Sequence, residues 1–171
     1  FNGITVNTPS ISAIIAIALA GVLLLASGFA SASEIAFFSL SPSDRNDIDE
    51  RNHPSDDKIS ALLGDTERLL ATILITNNFV NVTIIMLCNF FFMNVFVFHS
   101  PLAEFLILTV ILTFLLLLFG EIMPKIYSAQ KTLAFCRFSA PGIYFLEKVF
   151  RPIATVLVRS RTFLNKHFVK K

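Results

Sequence analysis

Apolar and polar positions alternate along the chain in long blocks. Ile11 to Ala30 carries no charged residue, Leu69 to Phe98 carries none over thirty residues, and Phe105 to Gly120 carries none. Runs of about 20 apolar residues are what a hydrocarbon core of ~30 Å asks of a helix. The pattern predicts three membrane spans, over 11–38, 69–98 and 102–124. The second is too long to stand straight, because thirty helical residues reach ~45 Å, so it must tilt, bend or protrude. Between the first two spans, 41–68 is polar and helix-prone. Ser41-Pro42-Ser43-Asp44 makes a good helix start, and Pro54 and Gly64 break the stretch further on.

From Ser128 onward the pattern changes. Apolar residues alternate with single basic ones, as in Phe135, Arg137, Phe138, Phe145, Lys148 and Arg151. Pro141 and Pro152 each sit where a new helix is expected to start. Short helices with apolar and basic faces, lying along the inner membrane surface, fit this pattern. A fourth, re-entrant span is the alternative, and Glu147, Lys148 and Arg151 in its middle argue against a full crossing. The expected fold is an all-α membrane protein with three transmembrane helices plus a juxtamembrane amphipathic helical belt. A three-helix domain over 1–128 precedes a belt over 129–171.

Composition agrees. Hydrophobic residues make up 54% of the 171 and charged residues only 15%, against roughly 25% in soluble domains. Three such runs leave too little polar chain to cover them in water. Orientation follows from lysine and arginine. Phe1 to Glu34 has none, 44–68 has Arg45, Arg51, Lys58 and Arg68, and ten follow from Lys125 onward. The N-terminus is therefore expected outside and Lys171 in the cytoplasm, in a multi-pass protein of the inner (plasma) membrane. A start at Phe1 and a basic end at Lys166 to Lys171 are expected of a segment cut from a longer protein. Ala30-Ser31-Ala32 resembles a signal-peptidase site, but Phe1 to Ser10 lacks a positive charge and the apolar run is too long for a signal core. Cys88 and Cys136 fall at different depths, so neither a disulfide nor a metal clip is expected.

Polar groups at membrane depth each need a reason. Ser27 and Ser31, four apart, share one helical face, and Glu34 continues it. Such serines either line helix contacts or offer hydroxyl ligands. Small residues at Gly21, Ala26, Gly28 and Ala32 invite close helix packing, and a twofold dimer is expected. The second span carries Thr76, Asn77, Asn78, Asn81, Asn89 and Asn94. These serve either as interhelical hydrogen bonds or as side-chain carbonyls aimed at a cation. The third span ends Phe119-Gly120-Glu121-Ile122-Met123-Pro124-Lys125. Pro124 has no N–H, so the Gly120 carbonyl four residues earlier loses its helical partner. A freed carbonyl beside Glu121 is a hard-oxygen site for a small cation. A kinked helix end with Glu121 paired to Lys125 is the alternative.

Ser27, Ser31, Asn78, the Gly120 carbonyl and Glu121 together offer five oxygens and one negative charge. Oxygen-only ligation points to magnesium, calcium or sodium rather than zinc or copper. The eight acids of 41–68 form either a solvated face or a cation-attracting vestibule at the inner mouth. His53, His99 and His167 all lie outside the spans, which removes the usual base and ligands of an intramembrane protease, and no enzyme is expected. Nothing points to nucleic acid.

The segment Ser27 to Ser39, the Thr76-Asn77-Asn78 stretch and Gly120-Glu121-Ile122-Met123-Pro124-Lys125 resemble the transmembrane domain of the CNNM/CorC family of magnesium transporters. The resemblance runs in order over nearly the whole chain. It implies a homodimer and a dehydrated Mg2+ bound at the serine, asparagine and Gly-Glu positions. It also implies cytosolic CBS and CorC-type domains following the tail. Members of this family more often carry glycine where this chain has Thr76. The expected function is magnesium transport, with export coupled to Na+ as one form. The alternative is an ion-binding membrane sensor or assembly module that regulates other transporters without carrying the ion.

Overall fold

The structure, a computed structural model, describes residues 4–168. Among the described residues, three helices are long and apolar enough to cross a membrane. The first is α1 (Ile11–Phe38), capped at its start by the Ser10 hydroxyl, which accepts from the Ala13 N–H. The second is α4 (Thr66–Val95), capped by Asp65. The third runs continuously over Pro101–Gln130 as α5 (Pro101–Leu115), a π-helical segment (Leu116–Ile122) and α6 (Met123–Gln130). The fold is an all-α membrane bundle, and the polar connection forms α2 (Pro42–Asp49) and α3 (Asp56–Leu63). Ser41 and Asp44 close a reciprocal capping box on α2. Arg51, in the turn after α2, takes the left-handed conformation at φ 59°.

Three features depart from the expected boundaries. The second span ends at Val95, and Phe96–Phe98 instead forms β2, paired antiparallel with β1 (Ile4–Val6) so that Thr5 faces Val97. Alternating aromatic and β-branched residues favour an extended ribbon once the helix has left the apolar core. The third span does not end at Pro124. The π turn widens the helix, and Met123 N–H donates to the Leu118 carbonyl five residues back. Pro124 thereby falls in the first turn of α6, where a missing donor costs little. Pro141 does not start a helix but lies inside α7 (Thr132–Val149). The fully buried face of Cys136, Ala140 and Ile143 continues through it, and the Phe29 ring closes on Gly142 so tightly that an added Cβ would meet its Cζ at 3.0 Å. That packing outweighs one lost hydrogen bond. Pro152 does open a helix, at the second position of α8 (Arg151–Phe168). Lys171, expected in the cytoplasm, lies outside the described residues.

Two apolar clusters brace the bundle. One, at the α2–α3 end, joins Ala30, Phe37, Ile48, Ile59, Leu69 and Ile143. The other joins Ala20, Val80, Ile84, Cys88 and Leu112 in the opposite half. The α1–α4 seam between them holds the polar residues. Of the eight acids in the connection, Asp56 alone is fully buried, and Arg137 of α7 holds it through Nε at 3.1 Å and an η nitrogen at 3.3 Å. Asp49, Glu50, Asp57, Asp65 and Glu67 face outward.

Cys136 lies in the same cluster with no exposed surface, and burial, with Asp44 adding to it, pushes its thiol up to about 12. The thiolate is the reactive form. Cys136 is therefore expected to resist maleimide at pH 8 in the folded protein and to react on unfolding, as mass spectrometry of labelled peptides would reveal. Rapid labelling of the native protein at Cys136 would contradict its burial.

Candidate metal site

Ser27, buried in α1, points into the seam with α4. Its Oγ lies 2.9 Å from Asn77 Oδ1 and 2.7 Å from Asn81 Oδ1. Asn77 and Asn81 are four apart, so α4 presents both on one face. A hydroxyl has a single proton and donates to one carbonyl at a time. Three oxygens thus converge with one proton between them, an arrangement that a small cation would stabilise.

The π segment closes the third side. Gly120 is buried against α1, and a Cβ there would meet Ser27 Oγ at 3.2 Å. Glycine is what lets the two helices come this near. One turn on, Gly28 receives the Pro124 ring so closely that an added Cβ would lie 3.0 Å from Pro124 Cγ. Pro124 is four residues after Gly120 and five after Phe119. It has no N–H to give either carbonyl, in α or in π register. Pro124 thus offers no main-chain donor at the turn beside Ser27. Glu121, half-buried, follows directly.

Ser31 and Thr76 are also buried in this region, and their hydroxyls find no hydrogen-bond partner among the described residues. Elsewhere in the bundle helical hydroxyls bond the carbonyl four residues back, as Ser33 does to Phe29 at 2.7 Å and Thr72 to Arg68 at 2.9 Å.

The structure thus brings Ser27 and Gly120 into contact, with Ser31 one turn along α1 from Ser27. Asn78 stands exposed on the other side of α4, and the seam takes Asn77 and Asn81 in its place. The sequence signal for these was their four-residue spacing, the same spacing that singled out Ser27 and Ser31. Glu121 makes no ion pair among the described residues, because Lys125 turns to Glu34, with Nζ 3.8 Å from Oε2. Gly28 and Ala32 of the small-residue stripe are used within the chain. Both line, with Phe119, Pro124 and Phe138, an apolar cavity of about 550 Å3 between α1, α6 and α7.

Close approach at the two glycines gives a direct test. Gly120→Ala is expected to displace Ser27 and weaken ion binding roughly tenfold. Gly28→Ala is expected to cost about 1–3 kcal/mol of stability, because the Pro124 ring is held by backbone and cannot swing away. Calorimetric titration and thermal unfolding separate the two effects. Binding that is unchanged in Gly120→Ala would place the ion away from Ser27.

The family described as CNNM, the cyclin M transmembrane N-terminal domain, matches residues 18–170. A UPF0053 protein of Haemophilus influenzae is 29% identical over 136 residues, covering 80% of this chain and 31% of that protein. A UPF0053 protein of Synechocystis is 26% identical over 136 residues, covering 80% of this chain and 38% of that protein. The chain spans about a third of the length of these relatives.

Proposed function

The chain belongs to the cyclin M transmembrane domain family, a membrane domain consistent with metal-ion transport in general, and on that footing we propose that it binds a largely dehydrated magnesium ion at the Ser27 cluster and carries it across the membrane. The observation that carries this reading is the convergence of Ser27 Oγ, Asn77 Oδ1 and Asn81 Oδ1 with a single proton among them. Ser31, the Gly120 carbonyl, to which Pro124 has no N–H to give, and the Glu121 carboxylate complete the proposed donor set. Every donor is a hard oxygen, and magnesium prefers near-octahedral oxygen coordination at ~2.1 Å. One carboxylate balances half of the ion's charge, so binding is modest and reversible, as carriage requires. Turning one asparagine amide end for end brings an N–H2 donor to Ser27 Oγ and satisfies the cluster without an ion. That exchange gives the site a low-cost way to release its cargo.

The asymmetry of lysine and arginine supports an outer N-terminus and an inner tail, and the outward-facing apolar side chains of α5, among them Phe105, Val110 and Phe114, offer a surface for lipid or a second copy. Magnesium flux into proteoliposomes holding the full-length protein tests the reading, with Ser27→Ala as the control. Flux that Ser27→Ala abolishes supports transport. Calorimetric binding with no flux in any orientation supports the sensor alternative, and equal binding in the parent and Ser27→Ala would overturn the site. Sodium dependence of that flux measures whether Na+ is the coupling ion.

A further inference from the structure

We infer that the chain carries a second cation subsite, one helical turn beyond the Ser27 cluster toward the α2–α3 end, formed by the Glu34 carboxylate and the Ser31 and Ser128 hydroxyls, with the Lys125 ammonium as the charge that an arriving magnesium displaces. The inference rests on the transport reading above and gives its ion a place to wait before dehydration.

Helix α1 and the third span run in the same direction, and their register is fixed by two close approaches, Ser27 on Gly120 of the π segment and Gly28 on Pro124 of α6. One turn further along both, positions 31–32 of α1 stand opposite 127–128 of α6, and Ala32 and Tyr127 do line one cavity there. Ser128 is fully buried, and α6 packs chiefly against α1. Ser31 is fully buried as well, and neither hydroxyl has a partner among the described residues. A helical serine normally bonds the carbonyl a turn back, as Ser33 does. Two serines that forgo this bond on facing helices leave oxygen for another electrophile, and unmet hydroxyls at depth are costly.

Glu34 supplies the charge. It sits three residues after Ser31, partly exposed, and holds Lys125 across the same helix pair at 3.8 Å. A direct charged hydrogen bond is about 2.7–2.9 Å long, so the pair is loose. Lys125 acts as a tethered counter-ion: it neutralises Glu34 when no cation is present and swings out on its flexible stem when one arrives. One carboxylate and two hydroxyls leave room for magnesium to keep several waters, which it sheds reluctantly. Stripping is completed at the Ser27 cluster, with Ser31 between the two positions.

The protein in nanodiscs of zwitterionic lipid, titrated with Mn2+ as a hard-ion probe and followed by the electron paramagnetic resonance of the free ion, tests this. Two binding phases are expected. Ser128→Ala removes one oxygen and leaves a residue at home in a helix, so it is expected to weaken the second phase on the order of tenfold and spare the first. Glu34→Gln abolishes the second phase, and Lys125→Met strengthens it. Glu121→Gln is expected to do the reverse, removing the first phase alone. A single phase in the parent, or a second phase indifferent to both Ser128→Ala and Lys125→Met, would overturn the subsite. A first phase indifferent to Glu121→Gln would instead count against the transport site itself.

Discussion

Neutralising Glu121 to Gln is expected to weaken magnesium binding by about 100-fold, the largest effect of any single substitution at the Ser27 cluster. Partners that merely orient metal ligands cost roughly 10–100-fold when removed, and a direct carboxylate ligand belongs at or above the top of that range. The effect is large because Glu121 is the only formal charge among the proposed donors and is not shared. Lys125, the neighbouring cation, is engaged by Glu34, so the Glu121 carboxylate is left to the ion. Glutamine keeps the shape and one oxygen, which isolates charge from packing. Ser31→Ala should weaken binding less, since a neutral hydroxyl is lost. Pro124→Ala should weaken it by restoring an N–H that re-pairs the Gly120 carbonyl. Calorimetric titration of the three variants ranks them, and a Glu121→Gln protein that binds like the parent would remove the support for this donor set.

The long-range order of the fold was legible because hydrophobic length is a cumulative signal. The start of α1 at Ile11 and its end at Phe38 coincide with the expected span, since a cap and a polar connection bound it on either side. What was not legible depends on where one element faces another. Adjacent positions of a helix point about 100° apart, and a run such as Asn77-Asn78 cannot declare which of the two meets Ser27 until α1 is placed. Glu121 and Lys125 stand at ideal spacing for a pair along one helix, yet the pair forms between helices because Glu34 of α1 arrives beside Lys125. The π turn was hidden for a related reason. Proline announces a break in bonding but not how the chain absorbs it, and here seven residues widen rather than stop the helix. The β1–β2 ribbon joins segments far apart in sequence, and the β-branched run Ile4–Val6 favours a strand without naming Phe96–Phe98 as its partner.

Asp56 shows the same limit most clearly, and it carries the largest expected effect on stability. Counted by composition it is one of eight acids in the polar connection between the first two spans. In the fold its carboxylate has no exposure, accepts two hydrogen bonds from Arg137, and accepts a third from the His53 N–H at 3.0 Å. Arg137→Met keeps much of the stem's packing but leaves a buried carboxylate without its counter-charge, which costs about 3–5 kcal/mol. For a chain of this length that corresponds to a fall of roughly 10 °C in melting temperature. The pair pins α3 to α7, and Cys136 adjoins Arg137 in the cluster they seal, so its thiol is the natural reporter. Thermal unfolding followed with a thiol-reactive dye should show Cys136 labelling at lower temperature in Arg137→Met than in the parent. Replacing both partners, Asp56→Leu with Arg137→Met, should recover most of the loss, because no buried charge is then left unpaired. A single Arg137→Met variant as stable as the parent would mean that water reaches Asp56, and that the α3–α7 seam is open to solvent rather than sealed.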